Sequence, residues 1–169
     1  AFLRQARDSA LTRAIQIRSM VAAHPTAFAL ALTADDAARI AAERRRAVYI
    51  SMENSAPVEG DLSLMRTFRA AGVTMMGPVH FRNNGLADSA TDKPEWNGLS
   101  PKGQAFVTEA NRLGIVIDAS HASDEATRQM VARSPAPIIL SHSGMRAVFD
   151  HPRNVTDADA RLVAAKGGV

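Results

Sequence analysis

Apolar residues recur along this chain in two rhythms. Leu3, Ala6, Ala10, Leu11, Ala14, Ile15 and Val21 fall at helical spacing and predict a helix over residues 2 to 22. His24-Pro25 ends it, because a residue before proline avoids the helical region. Short apolar runs that do not alternate with polar residues follow: Phe28 to Leu32, Val48 to Met52, Val73 to Val79, Ile115 to Ala119 and Ile138 to Leu140. Such runs predict strands of a parallel sheet buried on both faces. Helical patterns separate them. Thr33, with Asp35 and Asp36 in the first turn, predicts a capped helix running to about Arg46. Leu62, Leu64, Met65 and Phe68 mark a second helix, closed by Gly72. Ser100-Pro101 opens a third, ended by Gly114; Ser123, with Asp124 and Glu125, opens a fourth. Asp157 to Lys166 is the last, and Gly167-Gly168-Val169 reads as the entry to another strand. Asn54 to Asp61 is a loop. So is Phe81 to Gly98, a polar stretch long enough to suggest a functional role.

The alternation of helix and strand predicts an α/β fold of the (β/α)8 barrel type, with an open doubly wound sheet as the alternative. Dinucleotide binding is not supported, since no Gly-x-Gly-x-x-Gly follows a strand, and no Walker-type phosphate loop is present. Composition changes little. Hydrophobic residues are 46% and charged residues 22%, ordinary for a globular protein. No run approaches the roughly 20 apolar residues of a membrane span, and no signal peptide is visible, so the compartment is left open between periplasmic or secreted and cytoplasmic. A net charge of +3 with 5% aromatics argues against nucleic acid as a partner, because the basic residues form no aromatic-interleaved patch. Arg44-Arg45-Arg46 reads as a solvated helix end. With no cysteine, any metal site must use histidine and carboxylate.

The candidate chemistry lies where the apolar runs stop. Glu53, His80, His121 and His142 each follow such a run. In a parallel barrel those positions share one face, the C-terminal ends of the strands, where each strand can donate one ligand. Imidazole and carboxylate suit zinc, and a shared carboxylate can bridge two ions, whose bridging water would then supply a hydroxide nucleophile near neutral pH. Asp118 lies within its apolar run and has two readings: a buried polar residue bonded to backbone, or a partner standing behind the metal ligands. Arg153, in a loop on the same face, is either solvent-exposed or a clamp for a substrate carboxylate.

The segments Gly72-Val-Thr-Met-Met-Gly-Pro-Val-His80-Phe-Arg-Asn-Asn, Asn97-Gly-Leu-Ser-Pro-Lys-Gly103, Asn111-Arg-Leu-Gly-Ile-Val-Ile-Asp-Ala-Ser-His121 and Ser141-His142-Ser, followed by Arg153-Asn-Val155, resemble in order those of the membrane (renal) dipeptidase family of zinc peptidases. The resemblance covers essentially the whole chain. It implies that Glu53 bridges two zinc ions, that His121 and His142 ligate one of them, that His80 contacts the substrate and steadies the tetrahedral intermediate, and that Arg153 binds the carboxylate end of a dipeptide. Two departures stand out. The family's Glu-Gly-Gly is here Glu53-Asn54-Ser55, and its His-x-Asp pair, which completes the other zinc site, does not occur in these residues. Residues 1–169 therefore read as a single catalytic barrel domain without the first and last strands of the family fold. Unpaired strand edges invite association, a homodimer among the outcomes. A related amidohydrolase acting on a non-peptide amide or lactam, and a non-catalytic fragment with an incomplete metal site, are the alternatives.

Overall fold

The computed structural model describes residues 2–169. All of its strand-to-strand pairings are parallel. Helix α1 (Phe2–Ala23) leads into β1 (Phe28–Leu30), α2 (Asp35–Ala42) and β2 (Arg46–Val48). Next come β3 (Ile50–Met52), α3 (Ala56–Glu59), α4 (Leu64–Ala70) and β4 (Val73–Met76). The second half carries α5 (Pro101–Arg112), β5 (Val116–Ile117), α6 (Asp124–Arg133) and α7 (Asp157–Ala165). Strand β1 pairs with β2, and β3, β4 and β5 form a second sheet in that order. Asp118 bridges to Ile139 in the parallel sense, which carries the same progression to the run before His142.

The single strand expected over 48 to 52 is in fact two. β2 meets β1 through the pair Ala29 and Ala47, β3 meets β4 through Ile50 and Val73, and the change of partner falls at Tyr49. The Tyr49 side chain leaves the sheet there and its hydroxyl donates to the Thr33 carbonyl at 2.7 Å. Thr33 is not the expected cap. No side chain caps the first turn; Asp36, inside it, instead folds back, its Oδ2 accepting the amides of Leu32 at 2.8 Å and Thr33 at 2.9 Å just before the helix. The arginine run is not a helix end either. α2 stops at Ala42, Arg44 takes a left-handed φ of 59°, Arg45 pairs with Glu43 and donates to the Pro25 carbonyl, and Arg46 opens β2. The Asn54 to Asp61 stretch holds the short α3, against which α1 packs.

The three remaining helices start as their sequences direct. Ser100, Ser123 and Thr156 each accept a first-turn amide through the side-chain oxygen. The core lies between sheet and helices, with Phe68, Met65, Phe106, Met76, Ile117, Met130 and Ile138 fully buried. α5 seats directly on the backbone of the long loop: a Cβ on Gly103 would fall 1.9 Å from the Leu86 carbonyl oxygen, so only glycine permits this approach. The loop, 81 to 98, has no regular structure but is tied together by one buried carboxylate. Asp88 accepts the amides of Glu95 at 2.9 Å and Trp96 at 3.0 Å through Oδ1, and that of Gly98 at 2.9 Å through Oδ2. Among the described residues, no helix is long and apolar enough to cross a membrane.

Candidate metal centre

Successive parallel strands deliver their following residues to one place. Glu53 follows β3, His80 lies four residues past β4, His121 four past β5, and His142 three past the Asp118–Ile139 bridge. The Glu53 Oε1 atom lies 2.9 Å from His121 Nε2 and 3.0 Å from His142 Nε2, and the two nitrogens are 2.9 Å apart. Three atoms with lone pairs, gathered this closely, repel one another unless a proton or cation sits among them. Zinc bonds of about 2.0–2.2 Å to nitrogen and oxygen in a tetrahedral array set ligand atoms about 3.3 Å apart. The observed triangle is within a few tenths of an ångström of that, and its donors are those zinc takes, so the residues fit such an ion.

The two imidazoles are held by different means. His121 is 5% exposed and sits at φ 73°, in the left-handed region that histidine tolerates better than most side chains. Its carbonyl accepts the Ala90 amide at 2.8 Å, while its Nδ1 is buried with no hydrogen-bond partner. Burial above all, then the positive field of Arg153 and His80, outweighs the pull of Glu53 and pushes its pKa down to about 4. The ring is therefore neutral at neutral pH, as a metal ligand must be. His142 is half-exposed, and its Nδ1 lies 2.7 Å from Ser141 Oγ, which in turn bonds Asp118 Oδ2. The other oxygen of Asp118 accepts the amides of Ser120 at 3.0 Å and Ser141 at 3.1 Å. Asp118 is thus bonded to backbone, and it also stands one hydroxyl away from His142.

His80 stays outside the triangle, its Nε2 3.7 Å from Glu53 Oε1 and its ring packed at a tilt against those of Phe81 and His121, at centroid distances of 4.0 and 4.2 Å. The long loop fastens it and its neighbour: Ser89 Oγ donates to the His80 carbonyl at 2.6 Å, and the adjacent residue, Ala90, holds His121. Arg153 curls over His142, donating to its carbonyl and to Ser143 Oγ, both at 3.0 Å. Among the described residues no carboxylate pairs with it. The backbone and its neighbours accommodate Asn54 and Ser55. Asn54 takes φ 62°, which asparagine tolerates almost as glycine does. Its Oδ1 accepts from Asn84 Nδ2 at 3.2 Å, while buried Ser55 donates from Oγ to the Gly77 carbonyl at 2.9 Å. Sequence reasoning missed the part played by Ser141. The available signal was a hydroxyl directly before His142, one β/α unit after a buried aspartate.

Known proteins resemble this chain over most of its length. A family model described as membrane dipeptidase (peptidase family M19) matches residues 2–169. A protein named dipeptidase tcpJ from Claviceps purpurea is 38% identical over 129 residues, covering 76% of this chain and 30% of that protein. Dipeptidase 3 from Rattus norvegicus is 33% identical over 173 residues, covering 98% of this chain and 35% of its own length. Among solved structures, the probable dipeptidase PvdM from Pseudomonas aeruginosa superposes with a TM-score of 0.87 at 38% identity, covering 92% of this chain and 41% of that one. A metallo peptidase from Rhodobacter sphaeroides, liganded with a phosphinate mimic of the dipeptide L-Ala-D-Ala, superposes with a TM-score of 0.90 at 26% identity, covering 98% and 48%. The fold is thus the barrel-type α/β fold of these enzymes, and the chain spans about a third of the length of the curated relatives and under half of the solved ones.

Proposed function

The chain belongs to the membrane dipeptidase family, and on that premise we propose that Glu53, His80, His121, His142 and Arg153 serve the active site of a zinc-dependent dipeptidase. One observation carries the reading: a single carboxylate oxygen, Glu53 Oε1, is approached by two imidazole nitrogens within 3.0 Å. Glu53, His121 and His142 would hold one zinc ion. Both imidazoles approach one Glu53 oxygen, and Glu53 would be the residue shared with a second ion. Zinc, when bound, acidifies water and polarises a scissile carbonyl.

The remaining residues act on the dipeptide itself. Arg153 is oriented by two bonds, to the His142 carbonyl and Ser143 Oγ, and has no carboxylate partner among the described residues. A guanidinium in that state is poised to bind the substrate's C-terminal carboxylate with its free N–H groups. Burial lowers the Arg153 pKa, yet the group keeps its charge at neutral pH. His80, beside the triangle and outside it, is placed to donate to the carbonyl oxygen as that oxygen gains negative charge.

Zinc titration of the purified protein together with dipeptide turnover tests the assignment. His121→Ala and His142→Ala should each abolish tight zinc binding and turnover; unchanged activity in either sinks it. Replacing the dipeptide's C-terminal carboxylate by an amide should raise KM about tenfold or more, as expected for one lost charge-assisted hydrogen-bond pair. Equal KM values for the acid and the amide would remove Arg153 from its role.

A further inference from the structure

We propose that Asp118 and Ser141 form a positioning pair that sets the tautomer of His142, holding its proton on Nδ1 and its lone pair on Nε2. The inference rests on the metal-site reading above and goes beyond the ligands themselves to what orients one of them.

The argument is a count of protons. Asp118 is buried, and its Oδ1 is committed to two amide donors, Ser120 and Ser141. A carboxylate only accepts. Its Oδ2 therefore takes the one hydroxyl proton of Ser141. Ser141 Oγ, 2.7 Å from His142 Nδ1, then has only lone pairs to offer that ring, so the bond runs from Nδ1–H to Oγ. A neutral imidazole protonated at Nδ1 carries its lone pair on Nε2, the atom facing Glu53 and His121. The main chain that carries the ring is also held, since the His142 amide donates to Ser120 Oγ at 3.1 Å. His121, by contrast, has no group at Nδ1 to choose a tautomer for it. Partners of this kind behind a metal ligand typically change metal affinity by about 10–100-fold.

The chain of donors can be reversed without changing its shape. In Asp118→Asn the carbonyl oxygen must still accept the two amides, so the NH2 faces Ser141 Oγ. The hydroxyl then turns to donate to His142 Nδ1, and the ring proton moves to Nε2, where it blocks a metal bond. Nitrogen-15 spectra of the histidines in the metal-free protein read the tautomer directly, with zinc titration as the second readout. The expected result is a protonated Nδ1 in the unmodified protein, a protonated Nε2 in Asp118→Asn, and zinc affinity about 100-fold weaker in the variant. Ser141→Ala should abolish the tautomer preference and weaken zinc about tenfold, and Ser141→Thr, which keeps the hydroxyl, should restore both. The Ser141 pair decides the question if Asp118→Asn fails to fold. A protonated Nε2 in the unmodified protein, a tautomer unaffected by either Asp118→Asn or Ser141→Ala, or a failure of Ser141→Thr to restore it overturns the proposal. If the unmodified protein binds no zinc, the metal reading fails, while the nitrogen spectra still judge the positioning pair.

Discussion

His121 and His142 point the same atom at the same carboxylate oxygen, yet they are fixed by opposite strategies. His121 is fixed by its backbone: a left-handed φ, a carbonyl bonded to Ala90, a buried ring and an unpartnered Nδ1. His142 is fixed by side chains: half-exposed, at a backbone position without positive φ, with Ser141 and Asp118 behind it and Arg153 across its carbonyl. Precision in a ligand's placement can come from strain that the surrounding fold imposes or from hydrogen bonds that local side chains supply. The first is insensitive to the chemistry of neighbouring side chains and expensive in stability. The second is the reverse.

The largest effect should come from the atom both rings serve. Glu53→Gln keeps the shape and removes the charge, so turnover should fall by at least about a thousandfold, roughly 4 kcal/mol in transition-state terms, in a steady-state dipeptide assay. A mild loss would mean that the two imidazoles do not converge on a common function.

The next effect separates the rings. An unfolded histidine titrates near 6.5 and the folded His121 near 4. Between those values the unfolded chain binds the proton and the folded chain does not, so the stability present above pH 6.5 is lost as the pH falls. Urea unfolding of the metal-free protein should show about 2 kcal/mol less stability at pH 5 than at pH 7. His121→Asn should erase that slope and His142→Asn should leave it. Equal slopes in the two variants would dissolve the contrast between a buried ring and an exposed one.

The smallest effect addresses the backbone. At position 121, glycine should be more stable than alanine by about 1 kcal/mol, because a Cβ is disfavoured at positive φ. At position 142 the order should invert by about 0.5–1 kcal/mol, since glycine there only adds freedom to the unfolded chain. Thermal melts of the four variants check this, and the same order at both sites would refute the assignment of strain to His121 alone.

Most of this architecture was legible in the sequence because it rests on local signals. Ser100, Ser123 and the apolar runs before His80, His121 and His142 announce their structure within a few residues. What was not legible depends on partners distant in the chain. The break at Tyr49 arises because one run pairs with β1 on its first half and β4 on its second, and no local pattern encodes a change of neighbour. Thr33 caps nothing because the entry to α2 is tied differently, with the Asp36 carboxylate reaching back to two amides before the helix. The proximity of Ser141 to Asp118 across adjacent strands follows from parallel register, which single-strand periodicity does not carry. The candidate site was legible as a row of side chains, but the difference in how its two imidazoles are held was not.

Asp88 has a consequence for time rather than for energy. By gathering three amides of the long loop onto one buried carboxylate, it orders the segment that fastens His80 and His121 before any ligand arrives. A wall assembled in advance removes the need for a slow closing step on the way in. An incoming molecule would then not have to wait for that segment to order.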